Sequence, residues 1–129
     1  MMLRALIVDD NSSFLNAARA VLQREGVCVA GTAATAAEAL LEVERLQLDV
    51  ILVDITLAGE SGFELARRLV EQNGDGDPAV VLISTHSEAD FAELIADSPA
   101  RAFVAKSELS AAALRRILDG HSCRDERRS

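Results

Sequence analysis

Four apolar residues, Val50-Ile51-Leu52-Val53, run without interruption into a single carboxylate, Asp54. A short loop containing Gly59 follows, and Ser61-Gly62 opens the next apolar-periodic segment. An all-apolar run bounded by polar residues reads as a strand buried on both faces, which is how parallel strands look. Asp54 therefore falls where such a strand emerges at its carboxyl end. In open parallel α/β sheets, sites form in the crevice beyond those ends.

The rest of the chain repeats the pattern. Leu3 to Val8 is a strand ending in Asp9-Asp10, and Asn11-Ser12-Ser13 supplies helix-capping residues. Phe14, Leu15, Ala18, Val21 and Leu22 recur at helical spacing until Gly26. Val27 to Ala30 reads as a second strand. Thr35-Ala36-Ala37-Glu38 is a capping box for a helix with Ala39, Leu40, Val43 and Leu46 inward. Ser61-Gly62-Phe63-Glu64 is another, followed by Leu65, Ala66 and Leu69. Asn73 to Pro78 is the clearest loop. Ala79 to Ile83 is the fourth strand, ending in Ser84-Thr85-His86-Ser87. A weaker helix follows, with Ala92 and Ile95, or Phe91 and Leu94, inward. Ala102 to Ala105 is the fifth strand and ends at Lys106. Ser107 or Ser110 caps the last helix, whose inner face is Ala113, Leu114, Ile117 and Leu118. Strand and helix thus alternate five times, which calls for a parallel sheet with helices on both faces.

Length and composition narrow the function. At 129 residues the chain reads as one domain, 1–120, with a disordered tail over 121–129. A net charge of -8 argues against nucleic-acid binding, which needs clustered Lys and Arg. Cys28 and Cys123 match no metal or redox spacing and suit a reducing cytosol. No apolar run is long enough to span a bilayer, so the expected location is cytoplasmic.

Strands one, three, four and five end in Asp9-Asp10, Asp54, Ser84-Thr85 and Lys106. In a parallel sheet these ends lie on one side. Three carboxylates together need a compensating cation. An oxygen-rich site with few protein ligands suits Mg²⁺. Lys106 and a Ser hydroxyl suit phosphoryl oxygens. Asp54 is then the candidate nucleophile of an aspartyl-phosphate. Singly, each residue has a plainer role: Asp9 or Asp10 as a helix cap, Asp54 in a turn, Lys106 as a surface charge. Their joint placement at strand carboxyl ends is what argues for a site.

On these residues the sequence resembles the receiver domain of two-component response regulators. Asp54 comes forty-four residues after Asp10, Ser84 thirty after Asp54, and Lys106 twenty-two after Ser84. Phe103 matches the aromatic switch position. The resemblance runs from Leu3 to about Asp119. It implies a flavodoxin-like, doubly wound (βα)5 three-layer sandwich with a five-stranded parallel sheet in the order 2-1-3-4-5.

It also implies that Asp54 accepts a phosphoryl group from a sensor histidine kinase. Asp10 and Asp54 would bind Mg²⁺ with the Thr56 carbonyl, and Asp9 would act through water. Ser84 and Lys106 would engage the phosphoryl oxygens. Ser84 and Phe103 would switch the face of the fourth helix, fifth strand and fifth helix, where a downstream protein docks or a phosphorylation-dependent homodimer forms. Thr56, His86 and Thr85 border the path of water and would tune a slow self-dephosphorylation. No other enzymatic activity is expected. The chain departs from the family at Thr85 (usually Ala or Gly), Ser107 (often a cis-proline) and Ala58 (often proline).

The rival readings fare worse. A Rossmann or P-loop site needs glycines that Asp10-Asn11-Ser12-Ser13 lacks. A haloacid-dehalogenase-type phosphohydrolase wants a second Asp where Thr56 stands. A non-phosphorylated pseudo-receiver usually lacks one of the acidic pair, the acceptor or the Lys. The wording around Leu57-Ala58-Gly59 and Phe103 to Leu109 resembles regulators that carry a DNA-binding helix-turn-helix. The chain reads either as a free-standing receiver or as the isolated receiver part of such a regulator. Met1-Met2 and the tail favour the first.

Overall fold

A computed structural model describes residues 3–57, 60–73, 78–85 and 88–118. Five parallel strands form one sheet: β1 (Arg4–Val8), β2 (Cys28–Ala33), β3 (Val50–Asp54), β4 (Ala79–Ser84) and β5 (Ala102–Ala105). Their spatial order is β2-β1-β3-β4-β5, as expected. The helices are α1 (Ser12–Arg24), α2 (Ala36–Arg45), α3 (Gly62–Asn73), α4 (Ala92–Asp97) and α5, helical over 111–118.

β3 lies at the centre, paired at its edges to β1 and β4 and packed on both faces, and all five of its residues are buried. The period-two alternation divides the core. Ala5, Ile7, Val50, Leu52, Val81 and Ile83 face one way and pack with Leu22 of α1 and Leu114 of α5. Leu6, Val8, Ile51, Val53, Val80 and Leu82 face the other and pack with Ala39 of α2 and Leu65 and Leu69 of α3. At the opposite end from the site, the Asp49 carboxylate accepts the Arg4 N–H at 2.8 Å, pinning β1 to the approach of β3.

Several boundaries differ from the sequence reading. β2 is longer than Val27–Ala30 and runs to Ala33. Its pairing steps from Ala5↔Val29 to Leu6↔Gly31, so Ala30 is an extra residue in a bulge beside a glycine, and hydrophobic alternation breaks there. The loop after Asp54 holds a two-residue antiparallel ladder, Thr56–Leu57 with Glu60–Ser61. Neither expected inward pair of α4 holds: Phe91 and Ile95 are half-buried, while Ala92 and Leu94 are exposed. Of the two candidate caps for α5, Ser110 caps it, its hydroxyl accepting the Ala113 N–H at 3.0 Å. Ser107 lies instead in a 3-10 turn, Lys106–Glu108. The expected tail, the Gly120 stop and most of the Asn73–Pro78 loop lie outside the described residues. Among those described, no helix is long and apolar enough to cross a membrane.

Candidate functional site

The acids at the end of β1 are not the cap of α1. Asn11 takes that role, its side-chain oxygen accepting the Phe14 N–H at 3.1 Å. Asp9 and Asp10 are left for other partners. Asp9 is fully buried and Asp10 exposed. Asp9 Oδ1 accepts the Asn11 N–H at 2.9 Å, and Asp54 Oδ1 accepts the Thr56 N–H at 3.1 Å. Both strand-end aspartates thus close the same local turn with the residue two positions on. Each keeps its second oxygen for the interior of the site.

Those second oxygens meet one cation. Lys106 Nζ lies 2.5 Å from Asp9 Oδ2 and 3.4 Å from Asp54 Oδ2. The shorter contact is with Asp9, whose side chain is fully buried. Oxygens of Asp9, Asp10 and Asp54 all lie within 4.8 Å of one another. Burial pushes the Asp54 carboxyl above its usual range, and the charge of Asp9 adds to this; the Thr56 N–H and Lys106 oppose both. One ammonium against three carboxylates leaves the cluster short of positive charge.

Ser84 is buried at the end of β4, next to the Ile83 carbonyl that accepts the Ile55 N–H at 3.0 Å. The structure therefore brings Asp9, Asp10, Asp54, Ser84 and Lys106 to one edge of the sheet. Thr56 lies at its rim, exposed, with its hydroxyl 3.4 Å from Asp54 Oδ1. Thr85 is exposed beside Ser84. Phe103 is half-buried on the face of the sheet shared with α2 and α3. His86 and Ala58 lie outside the described residues.

Two contributors were not singled out in the sequence. Gly62 opens α3 directly beneath Asp54. A Cβ there would collide with the Asp54 carbonyl oxygen and come within 2.6 Å of Ile55 Cα, so only glycine allows this approach. The ring of Phe14, expected only as a core contact of α1, lies under the Lys106 ammonium at 4.4 Å from its centroid. Lys106 is the only lysine in the chain, every other basic residue being arginine, and that singularity was legible.

The family described as "Response regulator receiver domain" matches residues 5–119. The transcriptional regulatory protein YvrH of Bacillus subtilis is 36% identical over 66% of this chain and 35% of its own length. Protein-glutamate methylesterase/protein-glutamine glutaminase 6 of Anaeromyxobacter dehalogenans is 35% identical over 82% of this chain and 30% of its own length. The chain spans about half or less of the curated relatives it matches.

Among solved structures, a two-component response regulator of the LuxR family from Aurantimonas superposes with a TM-score of 0.79 at 26% identity, over 93% of this chain and 87% of that one. A CheY-like receiver domain protein from Methanospirillum hungatei shares the fold, with a TM-score of 0.77 at 23% identity over 98% and 99%. The chain belongs to the response regulator receiver domain family.

Proposed function

We propose that this domain is a phospho-acceptor switch. Asp54 takes a phosphoryl group from the phosphohistidine of a sensor histidine kinase, and the modification alters a protein-docking surface. One observation carries the reading: Asp54, buried at the end of the central strand, shares the single ammonium of Lys106 with buried Asp9, while Asp10 brings a third carboxylate into the same cluster. Such a site is built to receive positive charge and an oxyanion together.

In this reading a carboxylate oxygen of Asp54 attacks the phosphorus in line. A P–O bond forms as the P–N bond breaks, and the bonding pair leaves with the imidazole nitrogen, the ring departing neutral with its other nitrogen protonated. Lys106 accommodates one phosphoryl oxygen and the Ser84 hydroxyl donates to another. The Thr56 N–H holds Asp54 in place through its Oδ1.

The donor set fits a magnesium ion, since three carboxylates offer hard oxygens within 4.8 Å of one another against a single ammonium. Asp10 and Asp54, the Thr56 carbonyl, and Asp9 through water would hold it. When bound, it supplies the charge that offsets the phosphoryl oxygens. The chain's chemistry in this account is its own phosphorylation and a slow loss of the group, set by Thr56 and Thr85 at the rim and by His86.

The output is a protein contact. Phe103, Val104, Glu108, Ala113, Arg116 and Ile117 line an open depression of about 560 Å³ between β5 and α5. Ser84 and Phe103 sit on neighbouring strands, paired through Leu82↔Phe103 and Ser84↔Ala105. A shift of Ser84 toward the phosphoryl group gives Phe103 room to turn inward. That repacks the face of α4, β5 and α5 for a downstream protein or a second copy. With a net charge of -8 the domain itself does not bind nucleic acid. Residues 1–120 form the receiver unit, and the setting is cytoplasmic.

The test is intact mass after incubation with a small phosphodonor. We expect one added phosphoryl unit with Mg²⁺ and none without it. No adduct in either condition would point instead to a docking module that is not phosphorylated.

A further inference from the structure

Lys106 is held from three sides. Its ammonium touches Asp9 and Asp54, and its third neighbour is the face of Phe14. With Phe14, Ala18, Val21, Leu22 and Leu109, Lys106 lines a depression of about 190 Å³. Only 11% of the Lys106 side chain is exposed. The Phe14 backbone is anchored by its N–H, donated to the Asn11 cap of α1, and its ring packs against the core between the sheet, α1 and α5.

The backbone after Lys106 supplies less restraint. Ser107 stands where a proline often restrains this loop, and it is exposed. The 3-10 turn Lys106–Glu108 is closed by a long bond, Leu109 N–H to the Lys106 carbonyl at 3.4 Å. An ammonium on a four-carbon stem with a loosely held backbone takes its position from what its side chain touches. The face of an aromatic ring attracts a cation electrostatically, and more strongly where water is excluded.

We propose that Phe14 is a positioning residue for phosphoryl transfer. Its ring holds the Lys106 ammonium between Asp9 and Asp54, where an incoming phosphoryl oxygen meets it. This role rests on Asp54 being the phospho-acceptor. Without the ring, the ammonium settles on the fully buried Asp9 or swings toward exposed Asp10, and its occupancy beside Asp54 falls.

The test uses the full chain with acetyl phosphate and Mg²⁺. Phe14→Leu keeps an apolar side chain on α1 but removes the ring, and Phe14→Tyr keeps the ring. Far-UV circular dichroism confirms that both fold. We expect phosphorylation about five- to thirtyfold slower in Phe14→Leu, from the usual strength of a partly desolvated cation–π contact, and near wild type in Phe14→Tyr. Because Lys106 is the only lysine, lysine-selective labelling gives a single NMR spin system. Its side-chain methylene protons should be shifted upfield by the ring in metal-free wild type and Phe14→Tyr, and not in Phe14→Leu. A wild-type rate in Phe14→Leu, an equally slow Phe14→Tyr, or no ring-dependent shift overturns the role while leaving Asp54 as acceptor. A wild type that takes no phosphoryl group overturns the acceptor reading itself, and the positioning role with it.

Discussion

Replacing Lys106 by methionine should destabilise the protein in a way that depends on pH and on divalent cations. Methionine keeps an unbranched stem over the apolar depression and removes only the charge. Lys106 Nζ lies 2.5 Å from Asp9 Oδ2 and 3.4 Å from Asp54 Oδ2, and the two acid side chains are 0% and 6% exposed. Removing one partner of a buried ion pair costs about 3–5 kcal/mol, because the remaining charge is left uncompensated. Exposed Asp10 opens the cluster to water on one side, so the lower end applies, about 3 kcal/mol.

For a domain of this size that lowers Tm by roughly 10–15 °C. The penalty shrinks in acid. Asp54 already binds its proton more tightly folded than unfolded, and loss of Lys106, which opposes this, raises its carboxyl further. An acid with a raised folded pKa favours the fold where it is protonated, and that contribution is lost as pH rises through the folded value. The gap between wild type and Lys106→Met should therefore be full at pH 7.5 in EDTA and narrow steadily toward pH 4.5. Mg²⁺ at pH 7.5 should recover part of it by binding the folded state. Thermal melts by circular dichroism read all three conditions. Equal Tm values for the two proteins at pH 7.5 in EDTA, or a gap that does not change with pH, would refute the reasoning.

Four further outcomes follow from the site. Asp54→Asn should take no phosphoryl group and should melt above wild type at pH 7.5, the difference vanishing toward pH 4, because the burial and Asp9 repulsion that raise the Asp54 carboxyl are removed. Gly62→Ala should cost about 1–3 kcal/mol in urea unfolding, since its Cβ meets backbone that cannot yield. Asp10→Ala should lower Mg²⁺ affinity at least tenfold by calorimetry with little change in Tm, as Asp10 is exposed. Thr56→Asn should shorten the lifetime of the phosphorylated form severalfold, because a carboxamide at this exposed rim position can orient a water that a lone hydroxyl cannot; equal decay rates would remove Thr56 from the path of attack.

The sheet was legible because its strands are plain. Val50 to Asp54 and Ala79 to Ser84 are apolar throughout, and buried parallel strands leave no other pattern. β2 was cut short because Gly31 and Thr32 interrupt hydrophobicity at a bulge, which only the pairing with β1 reveals. α4 misled because its six residues include none that is buried; its contacts come from Phe91 in the preceding 3-10 turn, outside the helical period.

The acidic cluster and Lys106 were legible from strand ends alone, since parallel topology fixes which ends meet. The difference between Asp9 and Asp10 was not. Both follow the same strand, and one is buried and one exposed only because the pleat alternates and Asn11 takes over the cap. Gly62 and Phe14 escaped for the same kind of reason. A close backbone approach and a ring under an ammonium join residues far apart in the chain, and no local pattern records them.

That the phosphoryl group goes to Asp54 is tested most directly by locating it. Trypsin cuts after Arg4, Arg19, Arg45 and Arg67, so Asp9 and Asp10 fall in peptide 5–19 and Asp54 in peptide 46–67. After phosphorylation with Mg²⁺ and a small phosphodonor, borohydride reduction converts an aspartyl phosphate to a stable homoserine that survives digestion. We predict the modified residue in peptide 46–67, at Asp54, and an unmodified 5–19. Modification in peptide 5–19, or in 46–67 at a residue other than Asp54, would contradict the account.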